Sequence, residues 1–235
     1  MTLETIQFPF GDRELPFSHP AEEAEMILSV LGGEDYPLAA TRVGSDTPVI
    51  IDVGSNCGAA AVFFKKHHPG ARIICYEPSA STFELLNKNV EGIDGIETYQ
   101  CGIWDKAGTF RLHHAPNAHS GAATLRPGDN WPSDLPGEEI TTRTLSSELA
   151  RLDLTEVRIL KVDAETVEAE ILQEVLTGSP DVPIHNIFVE YHGIAVRKFL
   201  TEELSVRYDV HLCNVSSDRQ GTLLFVLRET DTLSS

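Results

Sequence analysis

The sequence has few basic residues for its length. Its 235 residues include 18 lysines and arginines against 36 aspartates and glutamates, which gives a formal net charge of −18 at pH 7. A field of this sign repels phosphate backbones and anionic lipids, so we expect no nucleic-acid partner and no membrane-surface partner. The acidic balance is equally typical of a well-solvated surface, and it says nothing about the fold.

The sequence also shows no cysteine motif, no pattern typical of a leader and no membrane-length apolar run. Cys57, Cys75, Cys101 and Cys213 form no Cys-x-x-Cys pair and show no metal-type spacing. We therefore expect free thiols in a reducing compartment. No basic stretch followed by an apolar stretch opens the chain, and no apolar run has membrane length, so we expect a cytoplasmic protein.

Strand-like and helix-like segments alternate from residue 46 to residue 230. This rhythm predicts βαβ units and a mostly parallel sheet with helices on both faces. The last two strand-like runs, Tyr208–Cys213 and Thr222–Leu227, are joined by too few residues for a crossover helix, which predicts an antiparallel hairpin. We expect an α/β, Rossmann-like fold with a seven-stranded sheet, in the order typical of S-adenosylmethionine-dependent methyltransferases.

Two segments stand outside this rhythm. Residues 1–45 are predicted to form an arm with docking aromatics and one helix, which caps the site or contacts a second subunit of a homo-oligomer.

The third strand is predicted at Ile96–Cys101. Residues 110–136 then show little periodicity, and so long a loop in a compact domain is usually functional. We expect an irregular lid that becomes ordered with ligands.

The first strand leads into an unusual glycine turn. The apolar run of Val49–Val53 contains Asp52, and Gly54 and Gly58 follow it. Glycine at position 54 is expected to let the backbone approach a ligand. A phosphate cradle usually supplies a lysine, whereas Asp52 suits a ligand with positive charge or hydroxyl donors. The turn lacks Gly-x-Gly-x-x-Gly, so it favours a nucleoside cofactor without a pyrophosphate and disfavours an NAD-dependent oxidoreductase.

Acidic residues follow four of the predicted strands. Ligands of open α/β sheets bind at the carboxyl ends of the strands, where Asp52, Glu77, Asp163 and Glu190 are expected to meet. Each acid alone is as typical of a helix cap or a solvated surface. The spacing of Glu77 from the glycine turn suits a carboxylate that accepts both ribose hydroxyls.

Four segments together resemble the FkbM-type S-adenosylmethionine-dependent methyltransferases. They are Ile-Asp-Val-Gly-Ser-Asn-Cys-Gly at 51–58, Tyr-Glu-Pro-Ser at 76–79, Leu-Lys-Val-Asp-Ala-Glu-Thr-Val-Glu at 160–168 and Val-Glu-Tyr-His at 189–192. The resemblance covers about residues 48–228, and it departs at Thr166, where the family commonly has glycine. It implies S-adenosylmethionine as cofactor, and the family includes O-methyltransferases of natural products and sugars.

The resemblance also implies site residues. The cofactor-binding set is Asp52, Gly54, Asn56, Gly58, Glu77, Pro78, Gly102, Ile103 and Asp163. On the acceptor side it implies Glu165, together with His119 and Ser120 in the irregular segment. Asp163 would lie next to the sulfonium and face the acceptor.

An alcohol acceptor must lose a proton, and histidine is the best-matched base near neutral pH. His192 is the candidate base, with Asp163 and Glu190 beside it and Glu190 expected to set its tautomer; a structural histidine is the alternative. Asp163, Glu165, Glu190 and His192 could also bind Mg²⁺ or Ca²⁺, but we favour direct hydrogen bonds from these carboxylates to the acceptor. The sequence thus favours O-methylation of a small hydroxylated molecule, with N-methylation of a small amine or a non-catalytic cofactor-binding protein as alternatives.

Overall fold

A computed structural model describes residues 2–114, 123–126 and 135–229. The β-strands of these residues are β1 (Leu3–Phe10), β2 (Arg13–Pro20), β3 (Val49–Val53), β4 (Arg72–Tyr76), β5 (Ile96–Tyr99), β6 (Gly102–Ile103), β7 (Gly108–His114), β8 (Ala123–Thr124), β9 (Gly137–Arg143), β10 (Ile159–Val162), β11 (Asn186–His192), β12 (Tyr208–Ser217) and β13 (Gln220–Leu227). The α-helices are α1 (Ala24–Gly32), α2 (Ala59–His67), α3 (Ala80–Val90), α4 (Leu145–Arg151), α5 (Glu168–Gly178) and α6 (Ile194–Leu204).

The central sheet has the strand order β12-β13-β11-β10-β3-β4-β5. Strands β3, β4, β5, β10 and β11 pair in parallel, whereas β13 runs antiparallel between β11 and β12. The predicted seven-stranded, mostly parallel sheet with a terminal hairpin is therefore confirmed. Because β3 and β10 lie mid-sheet, their apolar residues are buried on both faces, apart from the half-buried Val49 at the start of β3.

Helices cover both faces of the sheet, as predicted. One core packs against α4, α5 and α6 and the other against α1, α2 and α3. Their central side chains are Leu145, Ile171 and Leu200 on one face and Ile27, Phe64 and Leu86 on the other. Cys57, Cys75 and Cys101 are buried free thiols, and Cys213 is half-buried and free. In the described part of the chain, every helix is too short or too polar to cross a membrane.

The N-terminal arm is a β-hairpin that docks on the α3 side of the domain. Strands β1 and β2 pair along their whole length, and the ring of Phe17 is fully buried. Asn89 of α3 holds the hairpin, because its side-chain amide donates to the carbonyls of Ser18 (2.7 Å) and Cys57 (2.8 Å). The arm is thereby tied to the residues that follow β3.

A second, four-stranded sheet of order β6-β9-β7-β8 was not predicted. Strands β7 and β8 lie within or beside residues 110–136, so the expectation of an irregular segment is wrong for both strands. The expected strand Ile96–Cys101 also ends earlier, at Tyr99, because the chain turns there into the second sheet. Residues 115–122 and 127–134 lie outside the described part of the structure, and they include His119 and Ser120. The lid stays a prediction for them.

Candidate functional site

A cavity of about 620 Å³ opens at the carboxyl ends of the parallel strands. The predicted site residues on its wall are Gly54, Asn56, Glu77, Pro78, Gly102, Ile103, Asp163, Glu165, Glu190 and His192. Asp52 and Gly58 do not line it. One cavity thus brings together residues that span most of the chain, because parallel strands all end on the same edge of a sheet.

Gly54 is required by a neighbouring strand. Its φ is +73°, and a Cβ at this position would lie 1.8 Å from the backbone carbonyl oxygen of Asp163. The amide of Asp163 in turn donates to the carbonyl of Val53 (3.1 Å). The expectation that this glycine makes room for a ligand is therefore corrected, since the space beside its Cα is taken by the main chain that follows β10.

Asp52 is fully buried and faces Lys161 of β10. The ammonium of Lys161 lies 3.1 Å from Oδ1 of Asp52 and 3.7 Å from Oδ2 of Asp163, and it donates to the carbonyl of Gly54 (2.5 Å). Burial alone lowers the pKa of Lys161, but the charges of Asp52 and Asp163 outweigh it and raise this pKa. The expectation that Asp52 meets a ligand with positive charge or hydroxyl donors is corrected, because Asp52 does not line the cavity and its charged partner is a lysine of the chain itself.

The carboxylate of Glu77 is held in place by two backbone amides. One oxygen accepts from the amide of Asn56 (3.0 Å) and the other from the amide of Ser79 (2.9 Å). Burial raises the pKa of Glu77 to about 7, although the two amides act in the opposite direction. Each carboxylate oxygen has a second lone pair, so this side chain can also accept hydroxyl groups of a ligand in the cavity.

His192, at the end of β11, is oriented by Glu168. Its Nδ1 lies 2.8 Å from Oε1 of Glu168, whereas its Nε2 is 3.5 Å from Glu165 and 3.9 Å from Glu190. The expectation that Glu190 sets the histidine tautomer is corrected, since the fully buried Glu168 at the start of α5, and not Glu190, is the partner of Nδ1. The edge of the ring that carries Nε2 faces the acids of the cavity.

Burial and neighbouring charges raise three pKa values around this imidazole. Burial lowers the pKa of His192, but the hydrogen bond to Glu168 and the charges of Asp163 and Glu165 raise it to about 10. Burial raises the pKa of Glu165 to about 8 against the influence of His192. The charge of Asp163, followed by burial, raises that of Glu190 to about 7. At neutral pH the imidazole is therefore protonated, unlike the free base that the sequence suggested.

The turn between β10 and α5 has a left-handed backbone. Glu165 has a φ of 48° and Thr166 a φ of 90°, a region that favours glycine. Strand β8 supports the turn, because the hydroxyl of Thr124 donates to the carbonyl of Glu165 (2.6 Å) and lies 3.0 Å from the hydroxyl of Thr166. Glu165 still reaches the cavity wall.

The N-terminal segment supplies wall residues that sequence reasoning missed. The buried ring of Tyr36 packs against Phe64 and Phe188 and also lines the cavity. At the rim, Asp35 accepts hydrogen bonds from Asn214 of β12 (2.7 Å) and from Ser29 of α1 (3.0 Å). No local pattern identifies these residues, because their position depends on how the arm docks.

Two further residues were missed although the sequence holds a signal for them. Lys161 stands between Leu160 and Val162 in an otherwise apolar strand, and a lysine there requires a charged partner. Glu168 lies three residues after Glu165 in the segment that resembles the family. An acidic residue at the start of a helix is by itself typical of a cap, and in the structure this carboxylate also contacts Nδ1 of His192.

Sequence comparison places this site within one family. The family model described as "Methyltransferase FkbM domain" matches residues 52–211. The methyltransferase sdnD of Sordaria araneosa is 28% identical, over 54% of this chain and 60% of that protein. Methyltransferase 1 of Beauveria bassiana is 27% identical, over 62% and 65%. The chain thus spans less than two thirds of the length of these relatives. The 2-O-methyltransferase NoeI of Sinorhizobium fredii is 30% identical, over 28% and 27%.

Solved structures share the fold at low sequence identity. The METTL16 MTase domain matches with a TM-score of 0.54 at 12% identity, over 92% of this chain and 74% of that one. Aeropyrum pernix fibrillarin with natively bound S-adenosyl-L-methionine matches with a TM-score of 0.50 at 9% identity, over 87% and 74%. These likenesses support the Rossmann-like methyltransferase architecture. The chain belongs to the family of methyltransferase FkbM domains.

Proposed function

We propose that this protein is an S-adenosylmethionine-dependent methyltransferase that methylates a hydroxyl group of a small molecule. The observation that carries the proposal is the single cavity that joins the Glu77 carboxylate to the cluster around His192. Bound S-adenosylmethionine would supply a methyl group activated by a sulfonium. The task left to the protein is to bind the two reactants and align them.

The Glu77 end of the cavity suits a nucleoside. The fixed carboxylate of Glu77 can accept the ribose hydroxyls, and Pro78, Gly102 and Ile103 line the cavity nearby with small or apolar surface that suits a flat base. The bound cofactor of the fold relative from Aeropyrum pernix supports the same choice. In this proposal Asn56 and Gly54 complete the wall of the cofactor site, and Asp52 and Gly58 support this wall without lining the cavity.

The opposite end suits a hydroxylated acceptor. Asp163, Glu190 and His192 converge there, and we propose that they bind the acceptor hydroxyl and that Glu190, rather than the protonated His192, receives its proton. Glu165 would bind a further polar group of the acceptor. The name of the relative NoeI, a 2-O-methyltransferase, supports oxygen as the methylated atom.

Residues 1–45 are proposed to form part of the acceptor site, as a cap on the cavity. Their contribution to the wall through Tyr36 and Asp35 supports this role. The acid-rich wall and the net charge of −18 oppose an anionic or nucleic-acid substrate. The same acids favour one alternative, N-methylation of a small amine that binds as a cation.

Calorimetry and turnover test the proposal in two steps. S-adenosylmethionine and its demethylated product should bind with a stoichiometry of about one, and NAD should bind weakly or not at all. Labelled S-adenosylmethionine should then transfer its methyl group to members of an alcohol panel. Preferential binding of NAD would overturn the cofactor, transfer only to amines would favour the alternative, and binding without any transfer would indicate a non-catalytic protein.

A further inference from the structure

We infer that Asp163, Glu165 and His192 bind a divalent cation, best matched by Mn²⁺, at the acceptor end of the cavity. One oxygen of each carboxylate and one imidazole nitrogen all lie within 4.8 Å of one another. Neighbouring ligands of an octahedral ion with bonds of about 2.1 Å are about 3 Å apart, so small side-chain rotations bring these atoms into a coordination sphere.

The orientation of His192 is an independent indication of a ligand. Its Nδ1 is bound to the fully buried Glu168, and its Nε2 is shielded from solvent yet has no hydrogen-bond partner. The 3.5 Å approach of Nε2 to Glu165 is close enough for an ion pair only. Histidines that bind metals are commonly held by a carboxylate on their other nitrogen, as this ring is. A cation that binds at Nε2 would displace the proton that the metal-free ring carries there, and this proton would be released to solvent.

The charge balance of the site also favours a cation. The carboxylates of Asp163, Glu165, Glu168 and Glu190 surround a single imidazole. The ammonium of Lys161 also lies 3.7 Å from Asp163, but its closer partners are Asp52 (3.1 Å) and the carbonyl of Gly54 (2.5 Å). Buried carboxylates are costly unless they are paired, and a divalent cation at the centre of the cluster would let these carboxyl groups ionise together.

The ligand set distinguishes between cations. Carboxylate oxygens suit Mg²⁺, Ca²⁺ and Mn²⁺, whereas the imidazole nitrogen shifts the preference toward the transition metal. The role of the cation rests on the proposed function. A cation at this position would lower the pKa of an acceptor hydroxyl placed against it. When the O–H bond breaks, the proton passes to the carboxylate of Glu190, 3.9 Å from Nε2 of His192.

The test is a titration of the full chain with Mn²⁺, followed by electron paramagnetic resonance and without cofactor or acceptor. About one Mn²⁺ should bind per chain, with a nitrogen coupling from a directly bound imidazole. Glu165→Gln should weaken binding by about tenfold or more, and His192→Ala should abolish the nitrogen coupling. Asp218→Asn is the matched control, because this exposed carboxylate pairs with Arg197 and neither residue lines the cavity.

Absence of saturable Mn²⁺ binding would overturn the inference, as would equal affinity in wild type and Glu165→Gln or a nitrogen coupling that persists in His192→Ala. Methyl transfer at an unchanged rate after removal of metal by a chelator would overturn the proposed role of the cation. The binding measurement needs no methyl donor, so its failure is distinguishable from a failure of the proposed function, which cofactor calorimetry tests separately.

Discussion

Nδ1 of His192 lies 2.8 Å from Oε1 of Glu168, and this contact joins the end of β11 to the start of α5. Glu168 is fully buried, and the same oxygen accepts from the backbone amide of Thr166 (3.0 Å). The carboxylate of Glu168 therefore orients the imidazole, and the backbone of the turn after β10 in turn orients this carboxylate. Its Nε2 is left facing the cavity.

We predict that Glu168→Gln lowers the pKa of His192 in the metal-free protein. The wild-type pKa of about 10 depends on the negative charge of Glu168, and an amide oxygen keeps the hydrogen bond but not the charge. Titration of the histidine ring signals by NMR would measure the shift toward the ordinary value. The exposed His211 serves as a reference whose signal should be the same in both proteins, and an unchanged His192 titration would contradict the prediction.

Replacement of His192 itself should affect turnover far more than cofactor binding. If the imidazole acts on the acceptor, His192→Ala should reduce turnover by about 10²- to 10⁴-fold, the usual contribution of a general acid or base. Cofactor affinity, measured by calorimetry, should change little because the ring lies in the acid cluster, away from Glu77. A parallel loss of cofactor affinity would mean that His192 has a structural role.

Replacement of Glu77 should act mainly on cofactor binding. Glu77→Ala should weaken binding of S-adenosylmethionine by about 1–3 kcal/mol, because ribose hydroxyls would lose a charged acceptor. Thermal unfolding of the variant would show whether the loss is local, since the amides of Asn56 and Ser79 also lose their acceptor. Cofactor binding at wild-type strength would exclude Glu77 from the ribose site.

The affinity for the cofactor should also depend on pH through Glu77. Its pKa is raised to about 7, so the side chain is protonated below this pH and loses its capacity to accept two hydroxyls. Affinity should rise with pH up to about 7, by at most about tenfold per pH unit, and level off above it. Calorimetry across this pH range measures the dependence, with Glu77→Ala as control. Because Glu165 and Glu190 titrate nearby and remain in the variant, the difference between the two proteins gives the contribution of Glu77.

A further prediction concerns the close approach of β3 and β10. Gly54→Ala should destabilise the protein by about 3 kcal/mol or more, because the new methyl group would overlap the carbonyl of Asp163 in addition to the strain of a positive φ. Gly11→Ala is the matched control, since Gly11 has a φ of +60° and a methyl group added there would meet no atom within 4 Å. We expect a loss of only about 1 kcal/mol for this control.

Urea unfolding of the two glycine variants gives the comparison. If Gly54→Ala fails to fold while Gly11→Ala folds normally, the prediction also holds. Equal losses in both variants would show that the carbonyl of Asp163 moves aside at little cost.

The architecture could be predicted because its determinants are local. Apolar runs of strand length and amphipathic helices alternate along the chain, and the short link before β13 excludes a crossover helix. The second sheet was not predicted, because its determinants are not local. Its strands β6 and β8 have two residues each, and β7 pairs with β9 across the undescribed segments, so no local periodicity marks the sheet.

The sequence by itself determined which edge of the sheet would carry the site, because parallel strands end together and Glu77, Asp163 and Glu190 follow such strands. Tertiary structure alone decided which groups meet there. The partner of His192 is Glu168 rather than Glu190, and the partner of Asp52 is Lys161 rather than a ligand. Glu190 and His192 follow each other on one strand at i and i+2, but the contact to Nδ1 of His192 comes from Glu168, which lies at the start of a neighbouring helix. Such pairings depend on packing between segments that are distant in the sequence, and local sequence patterns do not reveal them.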